Sequence, residues 1–192
     1  MHQDYKQSSL AAFKKSKELG LEPKINFNKP ITGELTNTLN YLFHDKISTF
    51  LLQRFGSGYW GQNCINIAPQ LFGILQYLGI SCELVYGDVS IMGTDECDTT
   101  LSGLLKELIS PGVGEFVIHV WLQIGKDLII DPTLAARINK YYIPDFNPHK
   151  IVLGRSKKLY KELRLEYKPM LVGANYLAKV CGIPLEYNAD AA

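Results

Sequence analysis

The sequence predicts an α+β fold in which helices, one of them opening on a cysteine, pack on an antiparallel β-sheet. Three observations predict it. Apolar residues recur at three- and four-residue steps over residues 36–55 and again over 63–78. Apolar and polar residues then alternate over 81–89, 116–124 and 127–131, the period of strands with one buried face. Glycine punctuation at Gly56-Ser57-Gly58, Gly79 and Gly125 separates these runs.

Taken in order, residues 4–19 carry Leu10, Phe13 and Leu19 among lysines, a weakly amphipathic helix ended by Gly20. Residues 21–33 hold Pro23 and Pro30 and predict a connecting loop. The next helix, 36–55, has Leu39, Leu42, Phe43, Ile47, Phe50, Leu51 and Phe55 on its apolar side. Asn63 is a candidate N-cap for the helix over 63–78, which places Cys64 in its first turn, and Pro69 predicts a kink or an irregular start. Cys82, Leu84 and Tyr86 mark a strand. Residues 90–115 interrupt the strands with a short helix over 99–109, Asp98 as its cap and Ser110-Pro111-Gly112 as its stop; Gly93, Gly112 and Gly114 flank it, as in a movable cover. A hairpin over 116–131 follows. A short strand at 151–153, helical segments at 157–167 and 170–181, and a frayed tail from Pro184 complete the chain.

The chain has 192 residues, 46% apolar and 20% charged, enough for one sizeable core and a single domain over 1–192. A net charge of +1 gives no bulk argument for a nucleic-acid partner. Residues 83–131 hold nine acids against Lys106 and Lys126, a net of −7, which would suit a basic or amine-bearing substrate or form a solvated face. Cys64, Cys82, Cys97 and Cys181 form no C-x-x-C pair, so neither a zinc site nor any other metal or cofactor is expected. The polar, lysine-rich residues 1–20 contain no apolar signal-peptide core, and no apolar run of about 18 residues predicts a membrane span. The expected setting is cytoplasmic, with export by a signal-less route as the alternative.

Cys64, His119 and Asp131 stand in three segments that a thiol site requires. A thiol is a strong nucleophile as its thiolate, which a helix N-terminus or an adjacent imidazole favours. Ile118, Val120, Leu122 and Ile124 share one face of the first hairpin strand, and Leu128 and Ile130 share one face of the second. Directing both sets to one core sets Leu122 opposite Leu128 and Val120 opposite Ile130. His119 then faces Asp131 across the ladder, with a three-residue loop around Gly125. Gln62 and Trp60, beside the cysteine, are candidate oxyanion donors, and Trp121 shares the His119 face as a candidate wall of the site. His2, His44 and His149 read as surface residues, Cys82 as core and Cys97 as a free thiol.

Gly61-Gln62-Asn63-Cys64, Leu84-Val85-Tyr86-Gly87, His119-Val120-Trp121-Leu122 and Leu128-Ile129-Ile130-Asp131-Pro132-Thr133 together resemble the transglutaminase-like superfamily, relatives of the papain fold. The match spans residues 59–133, leaving helical flanks at 1–58 and 155–183. Asn63 departs from the classical pattern by separating the Gly-Gln pair from the cysteine. The resemblance implies a Cys-bearing helix packed on an antiparallel sheet and a Cys64-His119-Asp131 triad acting on amide bonds of a protein or peptide, as protease, deamidase or transamidase. Two alternatives are an acyl transferase like the arylamine N-acetyltransferases, whose Arg-Gly-Gly before the cysteine is missing here, and an inactive protein-binding domain.

Overall fold

A single antiparallel sheet with helices on both of its faces organises the chain. The structure is a computed structural model and describes residues 4–113 and 117–188. The elements are α1 (Tyr5–Glu18), α2 (Gly33–Tyr41), a π-helical segment (Leu42–Ile47), α3 (Ser48–Phe55), α4 (Cys64–Tyr77), β1 (Glu83–Ile91), β2 (Thr94–Asp95), α5 (Leu101–Ile109), β3 (His119–Ile124), β4 (Leu128–Asp131), α6 (Leu134–Tyr141), β5 (Val152–Arg155), α7 (Ser156–Leu163), β6 (Leu165–Val172) and α8 (Asn175–Cys181). The sheet runs β6-β1-β3-β4-β5, and the two-residue strand β2 pairs with the end of β1. The fold class is thus α+β, as expected.

β1 pairs with three strands, β2, β3 and β6, and is buried along its whole length. On one face Leu84, Tyr86, Val120, Leu122 and Ile130 pack with Ile67, Leu71 and Leu75 of α4. Each of those α4 side chains is fully buried, a burial that contributes about 1.5–3 kcal/mol apiece. On the other face Val85, Val89, Trp121 and Ile129 pack with Tyr5 and Ala12 of α1, Leu134 and Ile138 of α6 and Leu159 of α7. The sheet therefore has no solvated face. Its expected polar side is covered, and the polar residues there are hydrogen-bonded rather than wetted.

Several elements differ from expectation for identifiable reasons. The buried stripe of α1 is Tyr5, Ser9, Ala12 and Ser16, whereas Leu10 is exposed, because this helix covers polar groups of the sheet. The tyrosine hydroxyl and the Ser9 hydroxyl both donate to Gln123 Oε1, at 2.7 and 2.9 Å, and Ser16 Oγ accepts from the Val172 N–H at 2.7 Å. Residues 36–55 are not one α-helix. Leu39, Phe43, Ile47 and Leu51 are buried at four-residue steps, each of which overshoots an α-helical turn by about 40°. The wider i→i+5 π turn at Leu42–Ile47 returns them to one side, and the Ser48 hydroxyl bonds the Phe43 carbonyl, five residues back.

α4 starts at Cys64 and stays continuous through Pro69. Asn63 occupies the cap position but its side chain makes no capping bond; its Nδ2 reaches the Tyr59 carbonyl at 3.4 Å instead. α5 is capped by Thr100, whose Oγ1 accepts from the Gly103 N–H at 3.1 Å, rather than by Asp98, which has a positive φ. The flanking Gly114 lies outside the described residues. The largest correction is β6. Residues 165–172, assigned from sequence to the ends of two helices, form a strand with alternating burial after α7 stops at Arg164 in the left-handed region. β6 runs so close to β1 that a Cβ on Gly87 would stand 2.1 Å from the Lys168 carbonyl oxygen, so no larger residue fits at 87. Of the tail, residues 184–188 are described, and they are docked rather than frayed. The Tyr187 hydroxyl bonds Glu83, and Asn188 bonds the side chain and the carbonyl of Gln76.

Glu83 is fully buried and accepts from the backbone N–H groups of Lys24, Leu84 and Ala174 as well as from Tyr187. Burial raises its pKa from 4.5 to about 7 against the pull of those donors. A carboxyl whose folded pKa is raised adds stability below its unfolded pKa and loses it as pH rises through the folded value. Glu83→Gln sets an amide donor against backbone donors and should cost about 1–3 kcal/mol. In urea titrations the advantage of the parent over Glu83→Gln should widen as pH falls from about 8 to 5; an advantage independent of pH would show that Glu83 takes up no proton on folding.

Candidate active site

Asp131 ends β4 where Pro132-Thr133 turns the chain into α6. Its Oδ1 accepts from the backbone N–H groups of Thr133 and Leu134, both at 3.0 Å, and from the Thr133 hydroxyl at 3.3 Å. The carboxylate thereby caps α6 and sits at the positive end of that helix. Its Oδ2 lies 2.7 Å from His119 Nε2 and accepts the Tyr167 hydroxyl at 3.2 Å. Burial would raise the Asp131 pKa, but the charge and hydrogen bond of His119 and the two backbone donors overcome it and hold the carboxyl below its ordinary 3.8.

His119 and Asp131 meet, though not in the expected register. The ladder pairs Leu122 with Ile130, Gln123 with Ile129 and Ile124 with Leu128. Continuing it sets Asp131 across from Trp121, one diagonal step from His119. The difference of two residues leaves every side chain on its expected face, so the imidazole still reaches the carboxylate. It follows from the loop, which is Gly125-Lys126-Asp127 rather than centred on Gly125. The glycine takes the first position with φ +57°, close to Lys29 and Ile31.

With Nε2 engaged by Asp131, Nδ1 is the ring nitrogen left for a second partner. Cys64 opens α4 and lies beside the start of β3, where its thiol donates to the Ile118 carbonyl at 3.2 Å. Burial works against a charge on His119. The Cys97 sulfur and the Asp131 carboxylate, with hydrogen bonds from Asp131 and Cys64, outweigh it and hold the imidazole well above its ordinary 6.5. The structure thus brings Cys64, His119 and Asp131 together. Cys64 is 5% exposed, His119 2% and Asp131 0%, so all three are buried and the cysteine is the least so.

The three accessory candidates fare differently. Trp60 is buried and its indole N–H donates to the Gly56 carbonyl at 3.0 Å, so it does not supply an oxyanion donor. Trp121 is fully buried between Tyr5, His119 and Tyr167, with its N–H on the Tyr5 hydroxyl at 3.1 Å; it packs the far side of the imidazole and cannot wall a substrate site. Gln62 is exposed in the loop before Cys64. The first-turn backbone N–H of Cys64 lacks an intrahelical acceptor, as at any helix start, and is available to an oxyanion.

Three residues escaped sequence reasoning. Tyr167 lies on the strand that was missed. Cys97 stands in a loop distant in sequence yet acts electrostatically on His119, Arg137 and Tyr167. Arg137 gives no pattern signal, being one cation on a short helix. Most of the described acids of residues 83–131 are not part of an open charged field. Glu83, Asp88, Glu107, Asp127 and Asp131 are buried, Asp95 pairs with Lys168, Glu96 pairs with Arg137, and Asp98 is exposed. They therefore lend no support to a basic substrate. A cleft of about 700 Å³ between the π-helical segment and residues 147–151 lies apart from the triad; its nearest link is His149, whose ring meets Trp60 edge-on at 4.7 Å. Among the described residues no group of His, Cys, Asp or Glu is arranged to hold a metal ion, and no helix is long and apolar enough to cross a membrane. No family model, curated protein or solved structure matches this chain.

Because the Cys97 sulfur and the Asp131 carboxylate together raise the His119 pKa, the imidazole contributes stability below about pH 6.5 that is lost as pH rises through its higher folded pKa. Asp131→Asn should bring the His119 midpoint down toward or below 6.5 in an NMR titration of the ring carbons and should remove that share of stability. A midpoint that stays in place would mean the carboxylate does not set the imidazole charge. Tyr167→Phe, which deletes one donor to Asp131, should cost about 1 kcal/mol of unfolding free energy and should leave the His119 midpoint raised, because the carboxylate keeps its charge beside the imidazole.

Proposed function

We propose that this chain is a thiol hydrolase of the transglutaminase-like type, acting on amide bonds of a protein or peptide through Cys64, His119 and Asp131. The observation that carries the proposal is the bond of His119 Nε2 to the buried Asp131 at 2.7 Å, with the Cys64 thiol as a further hydrogen-bonding partner of the same imidazole. A Cys-bearing helix on an antiparallel sheet, with the histidine and the acid on adjacent strands, supports the papain-like reading of the fold.

In this reading Cys64 attacks the amide carbonyl as its thiolate. The thiol proton resides on His119 Nδ1 and passes to the leaving amine. Asp131 holds the ring orientation and stabilises the imidazolium. The tetrahedral oxyanion is received by the Cys64 N–H, with Gln62 as a side-chain donor from the exposed loop; loss of one such donor lowers rates about 10²–10³-fold. Water then releases the acyl group, or an amine accepts it.

The test is the pH dependence of alkylation by iodoacetamide in the parent, Cys64→Ala, Cys97→Ala and His119→Ala. Fast labelling below pH 7 should disappear in Cys64→Ala, survive in Cys97→Ala and slow at least about tenfold in His119→Ala. Loss in Cys97→Ala with survival in Cys64→Ala would transfer the nucleophile to Cys97. Labelling that follows an ordinary thiol of pKa about 8.5 in every variant would remove the hydrolase reading.

A further inference from the structure

Arg137 joins two segments that approach the same imidazole from different directions. It lies on α6, the helix whose first turn Asp131 caps. Its Nε donates to the Gly61 carbonyl at 3.1 Å. Its Nη1 donates to the Glu96 carbonyl at 2.7 Å and approaches Glu96 Oε2 at 3.3 Å, while Glu96 Oε1 bonds the Tyr142 hydroxyl. Gly61 lies three residues before Cys64, and Glu96 directly precedes Cys97, whose own N–H is held by Asp88 Oδ1 at 3.0 Å.

Outside Arg137, the turn that delivers Cys64 meets His149 at the Trp60 ring and the Gly58 carbonyl and Lys140 at the Tyr59 ring, and it is also braced from within. The Trp60 indole donates to Gly56, the Asn63 amide to Tyr59, and the Asn63 N–H to the Trp60 carbonyl at 2.9 Å. A Cβ at Gly61 would stand 2.3 Å from the Tyr59 hydroxyl, so a larger residue there would displace the tyrosine ring. These bonds shape the turn but do not locate it against the acid side of the site. Arg137 does, through a rigid fork that meets two acceptors at once, which a lysine ammonium on a flexible stem cannot reproduce.

We infer that Arg137 is a positioning residue for the Cys64 site, its guanidinium locking the Gly61 carbonyl, and with it the turn that presents the nucleophile, to the Glu96–Cys97 segment and to the helix capped by Asp131. The inference rests on the hydrolase reading of that site. It assigns Arg137 no contact with substrate; its effect is on where the thiol stands relative to His119, and a displacement of about 1 Å at a reacting group can lower a rate about 10²-fold.

The experiment measures Cys64 alkylation by iodoacetamide from pH 5 to 9 in the full chain for the parent, Arg137→Ala and Arg137→Lys, with methylguanidinium or methylammonium added to the alanine variant. Arg137→Ala should label at least about tenfold more slowly at pH 6 and shift its profile toward an ordinary thiol. Methylguanidinium should restore the rate, methylammonium should not, and Arg137→Lys should stay slow. Parent-like labelling in Arg137→Ala, or equal restoration by both cations, would overturn the inference while leaving the hydrolase reading intact. If Arg137→Ala does not fold by circular dichroism, Arg137→Lys decides, and parent-like labelling there overturns it. A parent without an activated thiolate overturns the hydrolase reading and this inference with it.

Discussion

The Asp131 carboxylate is the constraint on which the rest of the site depends. It is fully buried, and a buried anion is tolerated only where donors surround it. Here those donors come from three elements: the imidazole of β3, the hydroxyl of Tyr167 on β6, and the first two backbone N–H groups and the Thr133 side chain at the start of α6. One side chain thus fixes the direction of a helix, the tilt of a histidine ring and the approach of a strand that lies three places away in the sheet. Removing it would leave each of these donors buried and unpaired, which is why the acid belongs as much to the fold as to any chemistry at the thiol.

The second face of the sheet explains how that carboxylate stays dry. Trp121, Tyr5, Gln123 and Ser9 form a connected polar ladder beneath α1, from the indole N–H to the tyrosine hydroxyl, and from there with the serine to the Gln123 carbonyl oxygen. Gln123 in turn donates to the Gly125 carbonyl at 2.9 Å. A fully satisfied network of this kind orders its members more tightly than apolar packing alone. It also holds Trp121 tilted against His119 and Tyr167, with ring centroids 5.8 and 5.1 Å apart, so the indole buttresses the imidazole.

The thiol side is assembled from segments with little in common. Cys64 is carried by a helix seated on the opposite face of the sheet and reaches His119 past the end of β3. Cys97 belongs to the turn that follows the β1–β2 hairpin and is held by Asp88. That both sulfurs act on one imidazole makes the assignment of the nucleophile a question of position and accessibility rather than of residue type.

Local physics made much of this legible. Periodicity located α4, β1, β3 and β4, because apolar spacing reports a buried face wherever one element packs on another. Face parity brought His119 and Asp131 together even though the register was two residues off, since a two-residue slip does not change the side on which a side chain emerges. β6 stayed hidden because its alternation is carried by Leu165, Tyr167 and Leu171 among Glu166, Lys168 and Pro169, and its neighbour β1 lies more than seventy residues earlier. The π turn came from the need to return four-residue steps to one face, which only the packed core imposes. Tyr167, Cys97 and Arg137 have the same status. Each reaches the site through long-range pairing or a turn with no pattern of its own. By itself the sequence determined which residues must share a face; the tertiary structure decided which faces meet, because that choice depends on contacts between segments that the order of residues along the chain does not encode locally.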